Sequence, residues 1–305
     1  MSSSAASAVG LKKGSPIVKK RRSFMPVSVL RPVVDHAVVN VADRLDTARS
    51  LFSRLGFQLT ERGHHSLGSS NHLAIFGENY LELLGYEQGK EKQRADLWQA
   101  PPGLTGLVWK TDSADIAFQH LERHDLDGEP PASFYRPVTL PDGSLSEAHF
   151  RTVRLRASRI PNGRSFFCQH LTPEAVWQPE WQVHPNGVQN ISEFVIVAQD
   201  PALSAQVYSQ LFGVEKVLAC QDGAFALHAG AVTVRFACVD YVRHRFGSLP
   251  ADYDGSARMA ALGFKASDLT KVKAALLKGD IAFSDRDGAI VVNAGENVNL
   301  ALRFA

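Results

Sequence analysis

Short apolar stretches with two-residue alternation, and longer ones with apolar residues every three or four positions, follow one another in a repeating order. The first unit predicts a strand over 33–41, a helix over 44–55, and strands near 57–62, 71–77 and 79–86. A second predicts a strand over 104–110, a helix over 113–124, and strands near 133–138, 148–156 and 164–171. A third runs from a strand at 191–198 through a helix at 201–211 to strands near 214–220, 223–228 and 231–239. A fourth has a strand at 259–265, a helix at 268–278, and strands near 280–284, 288–293 and 297–304. Internal repetition on this scale decides architecture. It predicts an α+β protein of four βαβββ units, taken in two pairs.

Two internal spacings support the repeat. Asp43 to Gly56 and Asp200 to Gly213 span the same interval, and each frames a helix with an aromatic in its last turns, Phe52 or Tyr208. The aspartates stand where an N-cap would satisfy free backbone N–H groups. The glycines stand where a left-handed residue stops a helix. Thr172–Asn190 is rich in Pro and Trp and reads as the connection between the paired units. The expected division is a basic tail over 1–30, a first domain over 31–175 and a second over 176–305. Gly85–Gly103 connects units one and two with room for a short helix. Gly128–Ser146, with Pro130-Pro131 and Pro141-Asp142-Gly143, carries turn signals and could form a lid or rim.

Chemistry concentrates in the first unit. His36 lies in its first strand and Glu82 in its last. If the strands curl into one concave sheet, the two side chains face each other across it. One imidazole nitrogen and one carboxylate oxygen are half of a divalent metal site with room left for substrate. The bland alternatives are a hydrogen-bonded histidine in the core, and a Glu82 paired with an arginine such as Arg154 or Arg164. His72, on a neighbouring strand, could be a ligand or a base behind one, with packing or rim polarity the preferred reading. His64-His65, before Gly68, reads as a solvated hairpin pair, and His184-Pro185-Asn186-Gly187 as a tight turn.

Composition narrows the classes. With 305 residues, 45% hydrophobic and 21% charged, the chain is of the soluble globular kind and long enough for two domains. No uncharged apolar run is long enough to predict a membrane span. Cys168, Cys220 and Cys238 form no CxxC pair and read as buried free thiols of a reducing cytoplasm. Residues 1–24 hold Lys12, Lys13, Lys19, Lys20, Arg21 and Arg22 and no acid; without them the formal charge moves from +2 to −4. The tail could touch nucleic acid or anionic lipid. Disorder, or an over-long start with Met25 as the initiator, is the preferred reading, and no nucleic-acid or membrane partner is expected. Phosphate-binding glycine loops, GxSxG and HExxH are missing from the sequence.

The Asp35-His36 start, the Leu55-Gly56-Phe57 helix end, Asn71-His72 with Phe76-Gly77, and Tyr80-Leu81-Glu82-Leu83-Leu84 occur in order over 33–180. Together they resemble the vicinal oxygen chelate superfamily, the fold of glyoxalase I and the extradiol dioxygenases, and in particular its glyoxalase-like domain group. The resemblance implies that paired units close U-shaped cups. It also implies that metal ligands come from the first and last strands of each unit. Carried over, it implies His36 and Glu82 as ligands, with Glu82 alternatively a catalytic base. Aligning the helix starts puts Thr105, a poor ligand, at the position of His36 in unit two. In the last strand of unit two, either Gln169 or His170 would face inward. Register favours Gln169 and ligand chemistry favours His170.

The third and fourth units offer Glu193, Arg235 and Ala261 at the corresponding places, so the second domain is expected to hold no metal. In extradiol dioxygenases the iron ligands lie in the second domain, which argues against that activity here. The resemblance implies a glyoxalase-like, metal-dependent lyase or isomerase. A divalent ion (Zn, Ni, Fe, Co or Mn) would chelate two adjacent oxygens of a small substrate and stabilise enediolate-like charge. A non-enzymatic, metal-free binding protein and a divergent ring-cleaving dioxygenase are the alternatives. A homodimer is the expected assembly.

Overall fold

The computed structural model describes Met1 and residues 30–305. The expectation for the basic tail therefore lies, Met1 and Leu30 apart, outside the described residues.

The first unit contains β1 (Val34–Ala42), α1 (Leu45–Arg54), β2 (Gly63–His64), β3 (Ser70–Ile75) and β4 (Tyr80–Gly85). After a one-turn α2 (Ala95–Trp98) come β5 (Gly103–Lys110), α3 (Ala114–Arg123), β6 (Ala132–Thr139), β7 (Leu145–Arg154) and β8 (Arg164–His170). These eight strands form one sheet in the order β2-β3-β4-β1-β5-β8-β7-β6. The parallel pairs β1–β4 and β5–β8 flank the antiparallel pair β1–β5. That arrangement is a pseudo-two-fold axis through the sheet. The two edges approach each other: the Ser66 N–H donates to the Tyr135 carbonyl at 2.9 Å. The sheet is thus curled into a cup.

The second half repeats the plan with β9 (Val188–Val197), α4 (Pro201–Phe212), β10 (Val217–Ala219), β11 (Phe225–Ala229) and β12 (Val232–Ala237). It continues through α5 (Val239–Phe246), β13 (Arg258–Ala266), α6 (Leu269–Lys278), β14 (Ser284–Arg286), β15 (Ala289–Asn293), α7 (Gly295–Val298) and β16 (Ala301–Phe304). The sheet order is β10-β11-β12-β9-β13-β16-β15-β14. Two α+β halves of one topology follow.

Each sheet turns one face to a shared core. Alternate β1 residues (Ala37, Val39, Val41) and the apolar stripes of α1, α3, α4 and α6 are buried there together. Aromatic contacts seal the seam, with Phe57 5.2 Å from Phe264 and Trp109 4.8 Å from Phe212, centroid to centroid. His184 staples it. Its Nδ1 accepts from the Gln58 N–H at 3.0 Å and its Nε2 lies 2.8 Å from the Ile75 carbonyl. The other face of each sheet forms a cup pointing away from this core.

Several expectations need correction. No strand forms over 57–62, because that segment meets β3 only around Thr60, whose N–H donates to the Leu73 carbonyl. Asp43 caps nothing. Ala42 enters a left-handed turn at φ 50° and Arg44 takes the N-cap position, with no side-chain cap. Asp200 does cap α4, accepting from Leu203 N at 3.0 Å. Gly128–Ser146 supplies the edge strand β6, a wall of the cup rather than a lid. Of the cysteines only Cys168 is fully buried; Cys220 and Cys238 are half-buried. The helix α5 falls in a stretch with no predicted element.

Candidate functional site

The first cup is a cavity of about 390 Å³. His36 from β1 and Glu82 from β4 lie on its floor, 4% and 8% exposed. The parallel register pairs His36 with Tyr80 and Val38 with Glu82, so both polar side chains project from the same face. His36 is fixed on two sides. Its ring stacks on Tyr80 at 4.2 Å, and its Nδ1 lies 2.6 Å from Asp35 Oδ2. Its Nε2 is left facing Glu82 Oε2 at 3.7 Å. The other carboxylate oxygen, Oε1, accepts from Asn71 Nδ2 at 2.7 Å and lies 3.8 Å from His65 Nε2.

Asp35 turns to the imidazole of His36 where the β1–β5 register slips between Val34 and His36. Its Oδ2 also lies 3.0 Å from His170 Nε2, while its Oδ1 is buried without a partner. Burial would raise its pKa, but the charge and hydrogen bonds of His170 and His36 outweigh this and hold the carboxyl well below its ordinary range. Burial lowers His65 to about 4, so that ring is neutral near pH 7. Burial pushes the Cys168 thiol up, keeping it protonated in the absence of a metal.

The structure brings His36 and Glu82 together. It places His170 outside the lining of the cup, turned toward Asp35. Asp35, Cys168 and His170 form a second cluster, with one ligand-type atom from each lying within 4.8 Å of the others. Gln169 does not enter the cup. Its Oε1 accepts from Ala114 N at 3.0 Å and its Nε2 donates to the Asp112 carbonyl at 2.9 Å, on the helix side of the sheet.

The position of Thr105 also needs correction. The ladder pairs His36 with Val108 and Val38 with Gly106, so the pseudo-two-fold maps His36 onto Gly106. It maps Glu82, opposite Val38, onto Phe166, opposite Val108. Thr105 sits in a register slip between the partners of Val38 and Val39, buried with Oγ1 unpartnered. Alignment from helix starts crosses that slip and arrives at the wrong residue. Unit two therefore contributes neither an imidazole nor a carboxylate at the matching positions.

His65 was expected to be solvated. It is buried in the cup wall, with Nδ1 2.8 Å from Ser69 Oγ and its ring edge-on to Phe134. His64 is the exposed member of the pair. Nothing in local spacing distinguishes the two; the short β2 and the turn at Gly68 do. The arginines weighed as alternative partners for Glu82 are not within ion-pair distance. Arg154 pairs with Asp96 at 3.0 Å, and among the described residues Arg164 makes no ion pair.

The second cup holds the opposite chemistry. Its ladder pairs Glu193 with Gly263 and Val195 with Ala261, which places Glu193 at the position of His36. Arg235, opposite Val195, takes the position of Glu82. The two form an ion pair of 3.3 Å. Glu193 is further bound by Tyr241 Oη at 2.7 Å and Arg245 at 3.1 Å. Both of those residues come from α5, whose Val242 and Phe246 fill the cup.

The glyoxalase-like domain family matches residues 34–212, and the chain belongs to that family. No curated protein matches it in sequence. Among solved structures, a hypothetical protein from Staphylococcus aureus is similar over 89% of this chain and 98% of its own, with TM-score 0.62 and 12% identity. A mutant 4-hydroxymandelate synthase from Streptomyces coelicolor is similar over 90% and 92%, with TM-score 0.55 and 12% identity. A xylose isomerase-like TIM barrel/4-hydroxyphenylpyruvate dioxygenase fusion protein is similar over 94% of this chain and 51% of its own, with TM-score 0.51 and 12% identity. At these identities the likeness concerns the fold. No helix among the described residues is long and apolar enough to cross a membrane.

Proposed function

We propose that this protein is a metal-dependent glyoxalase-like enzyme whose first cup acts on a small oxygenated substrate by lyase- or isomerase-type chemistry. The observation that carries the reading is the His36–Glu82 pair. A gap of 3.7 Å between Nε2 and Oε2 exceeds a hydrogen bond, yet one ion with two ligand bonds of about 2.0–2.2 Å spans it. The donor set fits a divalent transition-metal ion. His36 has its second nitrogen on a carboxylate, the arrangement that fixes a ligating imidazole. When bound, Zn, Ni, Fe, Co or Mn would supply Lewis acidity toward two adjacent substrate oxygens.

The chain's own groups divide the remaining work. Asp35 orients His36. Asn71 anchors one oxygen of Glu82, leaving the other to ligate or to take a proton from the substrate as general base. Neutral His65 borders that carboxylate. His170 belongs to the same network through Asp35 and is the candidate further ligand; Gln169 faces away from this site. The domain boundary in this reading falls at 175/176. The protein works in the cytoplasm as a homodimer.

The non-enzymatic reading draws on Gly106 and Phe166, which leave two of the four ligand positions empty of donors. The dioxygenase reading draws on the name of one structural neighbour, but the second cup, where such a centre would be expected, is filled by α5. Elemental analysis of purified wild-type protein and of His36→Ala separates them. About one divalent ion per chain in the wild type and none in the variant supports the enzyme; a metal-free wild type sinks it in favour of the binding protein. Oxygen uptake with the metal-loaded protein would move the assignment to a dioxygenase.

A further inference from the structure

We infer that the first cup selects an organic anion with an apolar body, its carboxylate or phosphate group held by Arg136 and Arg164. The inference rests on the reading of this cup as the substrate site. Arg136, on β6, is 2% exposed and lines the cavity. Among the described residues its guanidinium makes no hydrogen bond and no ion pair, and its Nη2 is buried without a partner. A buried cation without an ion-pair partner is costly, and the Glu82 charge favours it only from beyond ion-pair distance. Room has nevertheless been made for it. A Cβ on Gly63 would lie 3.1 Å from Arg136 Cδ and 3.3 Å from Nη1, so the neighbouring strand carries glycine where this side chain passes.

Arg164, on β8, lines the same cavity, and its Nε is buried without a partner. Its guanidinium carbon stands 5.7 Å from the Phe166 ring centre. Burial, and after it the charge of Arg154, lowers its pKa to about 10, which leaves it cationic near pH 7. The other two arginines of the cup are already engaged, since Arg94 and Arg154 share Asp96 at 3.4 Å and 3.0 Å. Glu82 has no arginine within ion-pair distance among the described residues and is held instead by Asn71.

Two unengaged guanidinium groups in one cavity are donors awaiting an acceptor, and their planar forks suit carboxylate or phosphate oxygens. The rest of the wall is mixed: Leu73, Leu84, Phe134, Phe150 and Phe166 supply an apolar surface, beside Ser69, Thr152 and the carboxylate of Glu129. A volume of about 390 Å³ suits a small organic molecule rather than a polymer.

The test is calorimetric titration of the full-length protein, metal-loaded and chelator-treated, with phenylacetate, phenyl phosphate and neutral phenylacetamide. The anions are expected to bind about tenfold or more tightly than the amide, as charge-assisted hydrogen bonds allow. The tighter of the two anions tells which group the site prefers. Arg136→Gln and Arg164→Gln should each weaken anion binding about tenfold while leaving amide binding in place. Arg136→Lys, which keeps the charge and loses the fork, guards against a folding failure and should fall between. Equal binding of amide and anions, a preference that survives in the double variant, or no binding up to about 10 mM overturns the inference. Anion preference in a protein that never holds metal overturns the metal reading alone; bound metal without anion preference overturns this one alone.

Discussion

The two cups share a strand order, a pseudo-two-fold axis and a register, and differ in what occupies equivalent positions. Where the first has His36 and Glu82 facing each other across 3.7 Å, the second has Glu193 and Arg235 in a 3.3 Å ion pair. The first keeps a cavity with cations that lack partners. The second brings in α5, whose Tyr241 and Arg245 complete the shell of Glu193 and whose Phe246 is fully buried. One scaffold thus shows two uses of the same floor. A charge left without its complement makes a place for a ligand. A charge completed from within, under an apolar helix, makes a core.

The largest expected effect is on metal content, which should be all or none. Wild-type protein should carry about one divalent ion per chain, as a single site with open positions would. His36→Ala and Glu82→Gln should abolish it, and Glu193→Gln should leave it unchanged. Elemental analysis reads all three. Cys168→Ala and His170→Ala sharpen the result. If they lose the metal while His36→Ala retains it, the ion belongs to the Asp35–Cys168–His170 cluster.

The next effect is on stability and belongs to the second cup. Glu193→Ala strands Arg245 and the Tyr241 hydroxyl and leaves Arg235 with Asp222 alone, at 3.5 Å. Removing one partner of a buried pair costs several kcal/mol, but both arginines are partly exposed, so the expected loss is about 2 kcal/mol. Urea unfolding measures it. Glu82→Ala breaks no ion pair with an arginine and should cost less. If the two cost the same, the contrast between a completed and an uncompleted charge is wrong.

Much of this contrast was legible in the sequence. The repeat gave four units because strand and helix periods differ, and Glu193 fell at the right position because β9 pairs with β13 through the same two register slips as β1 with β5, so units one and three keep step. Unit two failed because β1–β5 changes register twice, between Val34 and His36 and between Val38 and Val39, and spacing counts residues rather than ladder partners. The same slip hid Asp35, which alternation would turn to the helix side. His65 and Arg136 were missed for another reason. Both reach the cup through the curl that brings the β2 and β6 edges together, a long-range closure that no local pattern records. α5 was unreadable as a plug because its value lies in what it covers.

A smaller stability effect has the opposite sign. Burial lowers the pKa of Arg136, so its charged form is disfavoured in the fold. Arg136→Met should therefore raise the stability of the ligand-free protein by about 1 kcal/mol while weakening anion binding. A loss of stability would mean that the guanidinium is satisfied within the protein, which removes the argument for a ligand anion.

The smallest effect separates the two helices that look alike in sequence. Asp43 and Asp200 stand at the same distance before Gly56 and Gly213, and a sequence pattern gives them the same task. In the structure Asp200 accepts from the Leu203 N–H at 3.0 Å, whereas the chain reaches α1 through a left-handed Ala42 and starts it at Arg44, one residue past Asp43. Losing a side-chain cap costs about 1 kcal/mol, and an exposed residue with no such bond changes stability by less than about 0.5 kcal/mol. Asp200→Ala should thus lower the unfolding midpoint and Asp43→Ala should not move it measurably. Equal losses would put Asp43 back at an N-cap in solution, and with it the entry to α1 that carries the chain away from the His36 strand.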